Sequence, residues 1–127
     1  MVQVAFSKTW KSSSQPRKQR KYVYNAPLHV RGTFLHAPLS KELRAKHKIP
    51  TLRVRKGDKV KVLRGQFKGH VGQVDKVFVK EARIVVQKAE LQKKDGSSVR
   101  YPIHPSNVQI LELKDEKKRM SKKTGGK

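Results

Sequence analysis

The sequence predicts a mostly β chain: a small, strongly bent barrel behind a long basic N-terminal extension with one short helix, and a basic C-terminal tail after it. Three observations carry this. Val60 and Val62 alternate with Lys59 and Lys61, and Val77 alternates with Val79, the period of a half-buried strand. Glycine and Asp-Gly turn signals divide residues 51–113 into about five short strands, a density that fits a small barrel. Residues 1–40 hold no acidic residue and seven basic ones, and Pro16, Pro27, Gly32 and Pro38 interrupt them repeatedly.

Taken in order, residues 1–50 read as the extension. Phe6, Trp10, Tyr22, Val23, Tyr24, Leu28, Val30, Phe34 and Leu35 follow no sustained helical or strand period, so this segment is expected to lack a core of its own and to order on a partner. Its acid-free charge comes from Lys8, Lys11, Arg17, Lys18, Arg20, Lys21 and Arg31. PRKQRKYVY interleaves cations with Tyr22 and Tyr24, which offers charge for phosphates and flat faces for unpaired bases. The alternative for both tyrosines is packing against the globular part. A short helix is expected near 40–48, with Ser40 as N-cap and Pro50 as the stop. Leu39 and Leu43 share one face of it, leaving Lys41, Arg44 and Lys48 largely on the others, as phosphate contacts or as a solvated cationic face.

The barrel is expected over 51–113. LRVR leads into the Val60/Val62 strand, Val71–Val79 forms the next, and Arg83–Ala89 the third. In that third strand Ile84, Val85 and Val86 are continuous, as in a strand covered on both faces. Asp95-Gly96 favours a primed hairpin turn, Val99 and Tyr101 continue the hairpin, Pro102 and Pro105 end it, and residues 107–111 return as the closing strand. Residues 114–127 form the tail.

Charge sets the class of partner. Thirty-two Lys and Arg face 9 Asp and Glu, a formal charge of +23 on 127 residues. Such a chain repels itself unless a polyanion neutralises it, and counterion release gives it salt-sensitive affinity for RNA or DNA. No basic amphipathic helix and no apolar run of roughly 18 residues points to a membrane, and MVQVAFSKTW passes into KSSSQPRKQR without a signal-peptide core. A cytoplasmic location is expected, in agreement with the lack of cysteine.

The sharpest local feature is DKVKVLRGQFKGHVGQVDKV, from Asp58 to Val77. Gly65 and Gly69 mark positions that need φ > 0, and Gly72 marks a bulge or close backbone approach within the following strand. Arg64 and Lys68 stand at the tip of the resulting loop. The segment Val60–Val74 resembles a KOW motif, the glycine-punctuated β-loop-β element of SH3-like barrels. With SQPRKQRKYVYNAPLH and APLSKELR before it and DGSSVRYPIHPSNVQI after it, the chain resembles the archaeal and eukaryotic form of one KOW-domain family of large-subunit ribosomal proteins, more archaeal than eukaryotic in aspect, over about residues 14–118.

The resemblance implies a structural constituent of the large ribosomal subunit that binds the 5′ domain of large-subunit rRNA. It also implies a role early in assembly, a position near the nascent-peptide tunnel exit, and neighbouring ribosomal proteins as partners. RNA contacts are then expected at Arg17, Lys18, Arg20, Lys21, Tyr22, Tyr24 and Arg31 of the extension and at Lys41 and Arg44 of the short helix. In the barrel they are expected at Arg64, Gly65, Gln66, Lys68 and Gly69, with Arg100 and His104 from the downstream segment. The glycines serve as scaffold, with their N–H groups open to phosphates. MVQVAFSKTW matches no part of the family pattern, and KKRMSKKTGGK is shorter than eukaryotic tails.

Catalysis has no candidate. His29, His36, His47, His70 and His104 are scattered, with no HxxxH pair and no cysteine, so no metal, cofactor or small-molecule substrate is expected. Asp58 and Asp75 flank the KOW loop but each has a lysine beside it, and ion pairing explains them better than paired catalytic carboxylates. Gly65 to Gly69 is too short to cradle a triphosphate. The competing binder is a KOW-type transcription elongation factor on polymerase or nascent RNA, but the companion domain of such factors is not expected here, and the acid-free arm suits burial in folded RNA better than reversible docking on a polymerase. A free, duplex-coating homo-oligomer would need a groove-reading helix or a dimerisation face, and neither is evident.

Overall fold

The computed structural model of the chain describes residue 6 and residues 13–124. Lys8, Trp10 and Lys11, with most of the unmatched N-terminal segment, lie outside the described residues, as do the last three. The described part contains helices α1 (Pro16–Asn25), α2 (Leu28–Arg31), α3 (Lys41–His47) and α4 (Glu116–Thr124). Its strands are β1 (His36–Pro38), β2 (Thr51–Arg53), β3 (Lys59–Val62), β4 (Val71–Phe78), β5 (Arg83–Gln92), β6 (Ser98–Ile103) and β7 (Val108–Glu112). Short 3₁₀ turns occupy Gly32–Leu35 and Pro105–Asn107.

Strands β3 to β7 make one antiparallel sheet in the order β6-β5-β4-β3-β7. Register shifts at Lys59/Val60, Val74/Lys76 and Val85/Glu90 bend it into a barrel-like shell, because each extra residue adds local twist. Within the last shift Lys88 stands at φ 64°, a left-handed residue in the middle of β5. On one side of it Ile84 and Val85 pair with both β4 and β6, and on the other Glu90–Gln92 pair with β6 alone. Ile84, Val85 and Val86 are all buried, as their continuous apolar run requires.

Two turns differ from the sequence reading. The Asp95-Gly96 hairpin is not the two-residue primed turn, which needs φ > 0 at both residues; only Gly96 is left-handed, at 91°. The loop spans three residues, closed by Lys93 N–H to Ser97 C=O at 2.8 Å and Gly96 N–H to Lys93 C=O at 3.0 Å. Asp95 Oδ1 accepts from Ser97 N–H and Oγ–H at 2.9 and 2.7 Å, and this holds its carboxyl below the usual range and stabilises the longer loop. Pro102 does not end β6, which runs on to Ile103. It is tolerated because β6 is an edge strand, where a missing N–H leaves no neighbour unpaired.

The N-terminal third also departs from the expectation of a coreless arm. Residues 16–25 are helical: Pro16 sits at N1, where its fixed φ suits a helix start, and the Lys, Arg and Gln that follow are good helix formers. Further on, Leu35, Ala37 and Leu39 are fully buried in the same core as Val60, Val62, Ile84 and Ile110. Strand β1 pairs with β2 through His36↔Arg53 and Pro38↔Thr51. Leu39 bridges Ile110 in parallel, and Ser40 N–H donates to the Ile110 carbonyl at 2.9 Å. Burying each leucine side chain contributes about 1.5–3 kcal/mol.

Helix α3 follows its sequence signals. Ser40 Oγ accepts from Leu43 N–H, and Lys48 closes the helix in the left-handed region at φ 54° with its N–H on the Arg44 carbonyl at 2.7 Å. At the far end α4 closes the molecule. Glu116 takes Lys46 at 2.8 Å and His47 at 2.5 Å, and Arg119 reaches the buried Asp58. Asp58 and Asp75 are ion-paired, though with remote arginines, Arg119 and Arg100, and not with their adjacent lysines.

Candidate nucleic-acid interface

The β3–β4 connection shows why its glycines stand where they do. Val62 N–H donates to the His70 carbonyl and Gly69 N–H to the Val62 carbonyl, both at 2.8 Å, so the strands are held together to the base of the turn. Above them Lys68 N–H donates to the Gly65 carbonyl at 3.2 Å and His70 N–H to the Phe67 carbonyl at 3.0 Å. Gly65 and Gly69 take φ of 92° and 88° with open space about their Cα atoms, so backbone conformation, and not crowding, demands glycine. Gly72 is the opposite case: a Cβ would lie 3.0 Å from the Gln87 carbonyl oxygen and 3.0 Å from Val86 Cγ1. Of the glycine N–H groups expected to face phosphates, that of Gly69 is already bound to Val62.

This turn exposes Arg64, Gln66 and Lys68 and turns Phe67 inward, where it packs on the core and meets Tyr101 at a ring-centroid separation of 5.2 Å. Between the turn and the corner after β6 lies a cleft of about 220 Å³. Its wall includes Arg64, Gly65, Gln66, Phe67, Arg83, Tyr101, His104 and Asn107. The corner is fixed by Leu63 N–H on the Asn107 carbonyl at 2.8 Å and by His104, whose Nδ1 accepts from Ser106 N–H at 3.2 Å and pairs with Ser106 Oγ at 2.7 Å. Burial, with the nearby Arg83 charge, pushes the His104 pKa down, which keeps the ring neutral and leaves Nε2 as its donor.

A second cationic surface comes from α1. Arg17, Arg20, Lys21 and Tyr24, at i, i+3, i+4 and i+7, share one helix face, and Tyr24 is 82% exposed. Lys18 flanks that face. Tyr22 points away from it, with its ring centroid 4.9 Å from that of Phe6 and 6.4 Å from that of Phe34, so packing claims this tyrosine while Tyr24 stays open. On α3, Lys41 and Arg44 are exposed.

Two arginines from the expected set are engaged within the chain. Arg31 donates from Nε to the Ala26 carbonyl at 2.9 Å, from Nη1 to Lys80 at 2.8 Å and from Nη2 to Tyr24 at 2.5 Å. Three carbonyls consume the fork of the guanidinium, which therefore fastens the end of α1 to the β4–β5 turn and is poorly placed to clamp phosphate. Arg100 is paired with Asp75 across the sheet. Conversely, Arg83, Tyr101 and Asn107 line the cleft although sequence reasoning gave them no contact role. Nothing in their local pattern marks them, because register and the turn after β6 bring them together.

The chain is similar to known proteins over nearly its whole length. The family model described as eukaryotic ribosomal proteins L26 and their archaeal L24 counterparts matches residues 13–123. Among curated proteins, the large ribosomal subunit protein uL24 of the archaeon Methanospirillum hungatei is 55% identical over 114 residues, which cover 90% of this chain and 95% of that protein.

Proposed function

The chain belongs to the family of eukaryotic L26 and archaeal L24 ribosomal proteins, and from that premise we propose that it is a structural constituent of the large ribosomal subunit that binds large-subunit rRNA. The family is one of structural, non-enzymatic proteins, and a place in a ribonucleoprotein and a part in translation follow from it. The observation that carries the RNA reading is the KOW turn. Arg64, Gln66 and Lys68 are held outward on a backbone pinned by four hydrogen bonds, in a chain of net charge +23. Phosphate contacts from such a preorganised tip lose little side-chain entropy beyond that of the arginine and lysine themselves.

The basic face of α1 and the exposed cations of α3 extend the proposed footprint, with Arg17, Lys18, Arg20, Lys21, Lys41 and Arg44 on phosphates and Tyr24 available for stacking. The finer reading is contact with the 5′ domain of that RNA, entry early in subunit assembly, a place near the tunnel exit in the cytoplasmic ribosome, and abutting ribosomal proteins as partners. It rests on the family resemblance. Sedimentation tests the reading: in moderate salt essentially all the protein runs with large subunits, and a footprint on the RNA falls in the 5′ domain. Recovery with RNA polymerase would favour an elongation-factor role instead.

A further inference from the structure

The cleft beside the KOW turn has a composition that phosphate binding alone does not require. Its lining is polar for the larger part, with Arg64 and Arg83 among the polar residues, yet Phe67 and Tyr101 bring two aromatic rings to it beside Val62 and Ile103. At about 220 Å³ it is smaller than the roughly 300–1,000 Å³ typical of a drug-sized ligand site. Tyr101 is 37% exposed, and the Phe67 ring packs on it at a tilt of 52°. Two hydrogen-bonding side chains complete the lining. His104 offers Nε2–H because Nδ1 is occupied by Ser106, and the side-chain amide of Asn107 has no partner among the described residues. The Asn107 backbone is anchored to Leu63, which keeps its Cα beside the turn.

We propose that this cleft receives a single unpaired RNA base, stacked on Tyr101 and read at its edge by Asn107 and His104, with Arg64 and Arg83 on the flanking phosphates. The inference rests on the RNA-binding function proposed above and names the ligand of that site more narrowly. A duplex phosphate backbone would use the two arginines and leave the aromatic wall bare. A flipped or loop nucleotide would engage Tyr101, Asn107 and His104 together with the arginines. Amide and imidazole N–H are suited to base edges, and stacking on an exposed ring is sequence-tolerant while the amide adds preference.

The full chain, titrated by NMR with nucleoside 5′-monophosphates and in parallel with ribose 5-phosphate, tests this directly. Ring-current shifts at Phe67, Tyr101, His104 and Asn107 with the nucleotides, and none with the sugar phosphate, are expected; equal shifts from both overturn the proposal. Tyr101→Leu is expected to weaken binding to a large-subunit rRNA transcript about 5- to 150-fold, the span of one stacked base, with Tyr101→Phe restoring it. Wild-type affinity in Tyr101→Leu, with the Arg64→Ala/Lys68→Ala chain still impaired, overturns the base pocket and leaves the RNA reading standing. If the wild-type chain shows no salt-dependent binding to that transcript, the RNA reading itself fails. Should Tyr101→Leu lose its fold, the nucleotide titration of the wild-type chain decides alone.

Discussion

Arg119 Nη1 lies 2.6 Å from Asp58 Oδ1, and both side chains are removed from solvent. The carboxylate also accepts Arg55 N–H and Lys114 N–H, each at 3.0 Å, while Arg119 donates from Nη2 to the Arg53 carbonyl. A buried pair of this kind is tolerated because none of the buried side-chain nitrogen and oxygen atoms among the described residues lacks a hydrogen-bond partner. Removing one partner strands the other. Asp58→Ala is expected to destabilise the fold by about 3–5 kcal/mol in urea denaturation, and the Asp58→Ala/Arg119→Met double variant to recover much of the loss. Equal instability of the single and double variants would show that the pair is not the source.

Arg64→Ala/Lys68→Ala should act on binding alone. Both side chains are exposed and neither packs on the core, so the thermal midpoint stays within about a degree or two of wild type. Affinity for large-subunit rRNA falls, and the slope of log K against log salt shrinks by about 1–2, one for each phosphate that is no longer neutralised. An unchanged slope in filter binding would move the interaction elsewhere.

The glycines separate two mechanisms. Gly69→Ala meets open space, and its cost is that of a left-handed L-residue, about 1–2 kcal/mol. Gly69→Asn should recover part of this, because asparagine tolerates that region, and Gly69→Val should cost more than alanine. At Gly72 alanine meets the Gln87 carbonyl and Val86, and asparagine should be worse than alanine. Thermal melts of the variants distinguish conformational strain from crowding by this reversal.

Acid should loosen the C-terminal helix first. Hydrogen bonds from Lys46 and then His47 hold the Glu116 carboxyl below the usual glutamate range. A carboxylate with a depressed folded pKa contributes stability above its unfolded pKa and loses it as pH falls through the folded one. The protection factors of α4 amides, corrected for the intrinsic pH dependence of exchange, are therefore expected to fall as pH drops below the ordinary glutamate range, and Glu116→Gln to show the lower protection already at neutral pH. No difference between the two chains near neutrality would remove Glu116 from the docking of α4.

His104 titrates in the other sense. Its folded pKa is lowered by burial, so the unfolded chain binds the proton more readily and stability declines as pH falls below the ordinary histidine value. Protonation also turns Nδ1 from acceptor to donor and breaks the hydrogen bond from Ser106 N–H. The ring's NMR titration midpoint should lie below that of an unfolded histidine; a midpoint at or above it would contradict the geometry.

Period and punctuation made most of the barrel legible. The alternation at Val60/Val62, the continuous Ile84–Val86 run, Ser40 as a cap and the glycines of the KOW turn all express local conformational preference, which a sequence displays directly. What stayed hidden was contact between distant segments. Leu35, Ala37 and Leu39 sit among prolines and carry no period, and they join the core only because β1 pairs with β2 and Leu39 reaches Ile110. The basic residues of α1 looked like an unstructured run because a helix with one packed ring, Tyr22, has almost no apolar stripe to reveal it. Arg31 and Arg83 look alike in sequence; Arg31 spends Nε, Nη1 and Nη2 on three carbonyls, whereas Arg83 spends Nη1 on the neighbouring Glu81 and Ala82 carbonyls and borders the cleft, and only tertiary structure separates them.

The Asp58–Arg119 clamp also has a bearing on when the chain can fold. Synthesis delivers residues 35–39 and Asp58 long before Arg119, and the partner of the buried carboxylate arrives 61 residues later. Until then Asp58 must stay hydrated, and the sheet edge that closes on Ile110 has no strand to meet. The barrel is thus built to finish late: a nascent chain from which Arg119 has not yet emerged should be open and protease-sensitive, and the emergence of Arg119 should render it resistant.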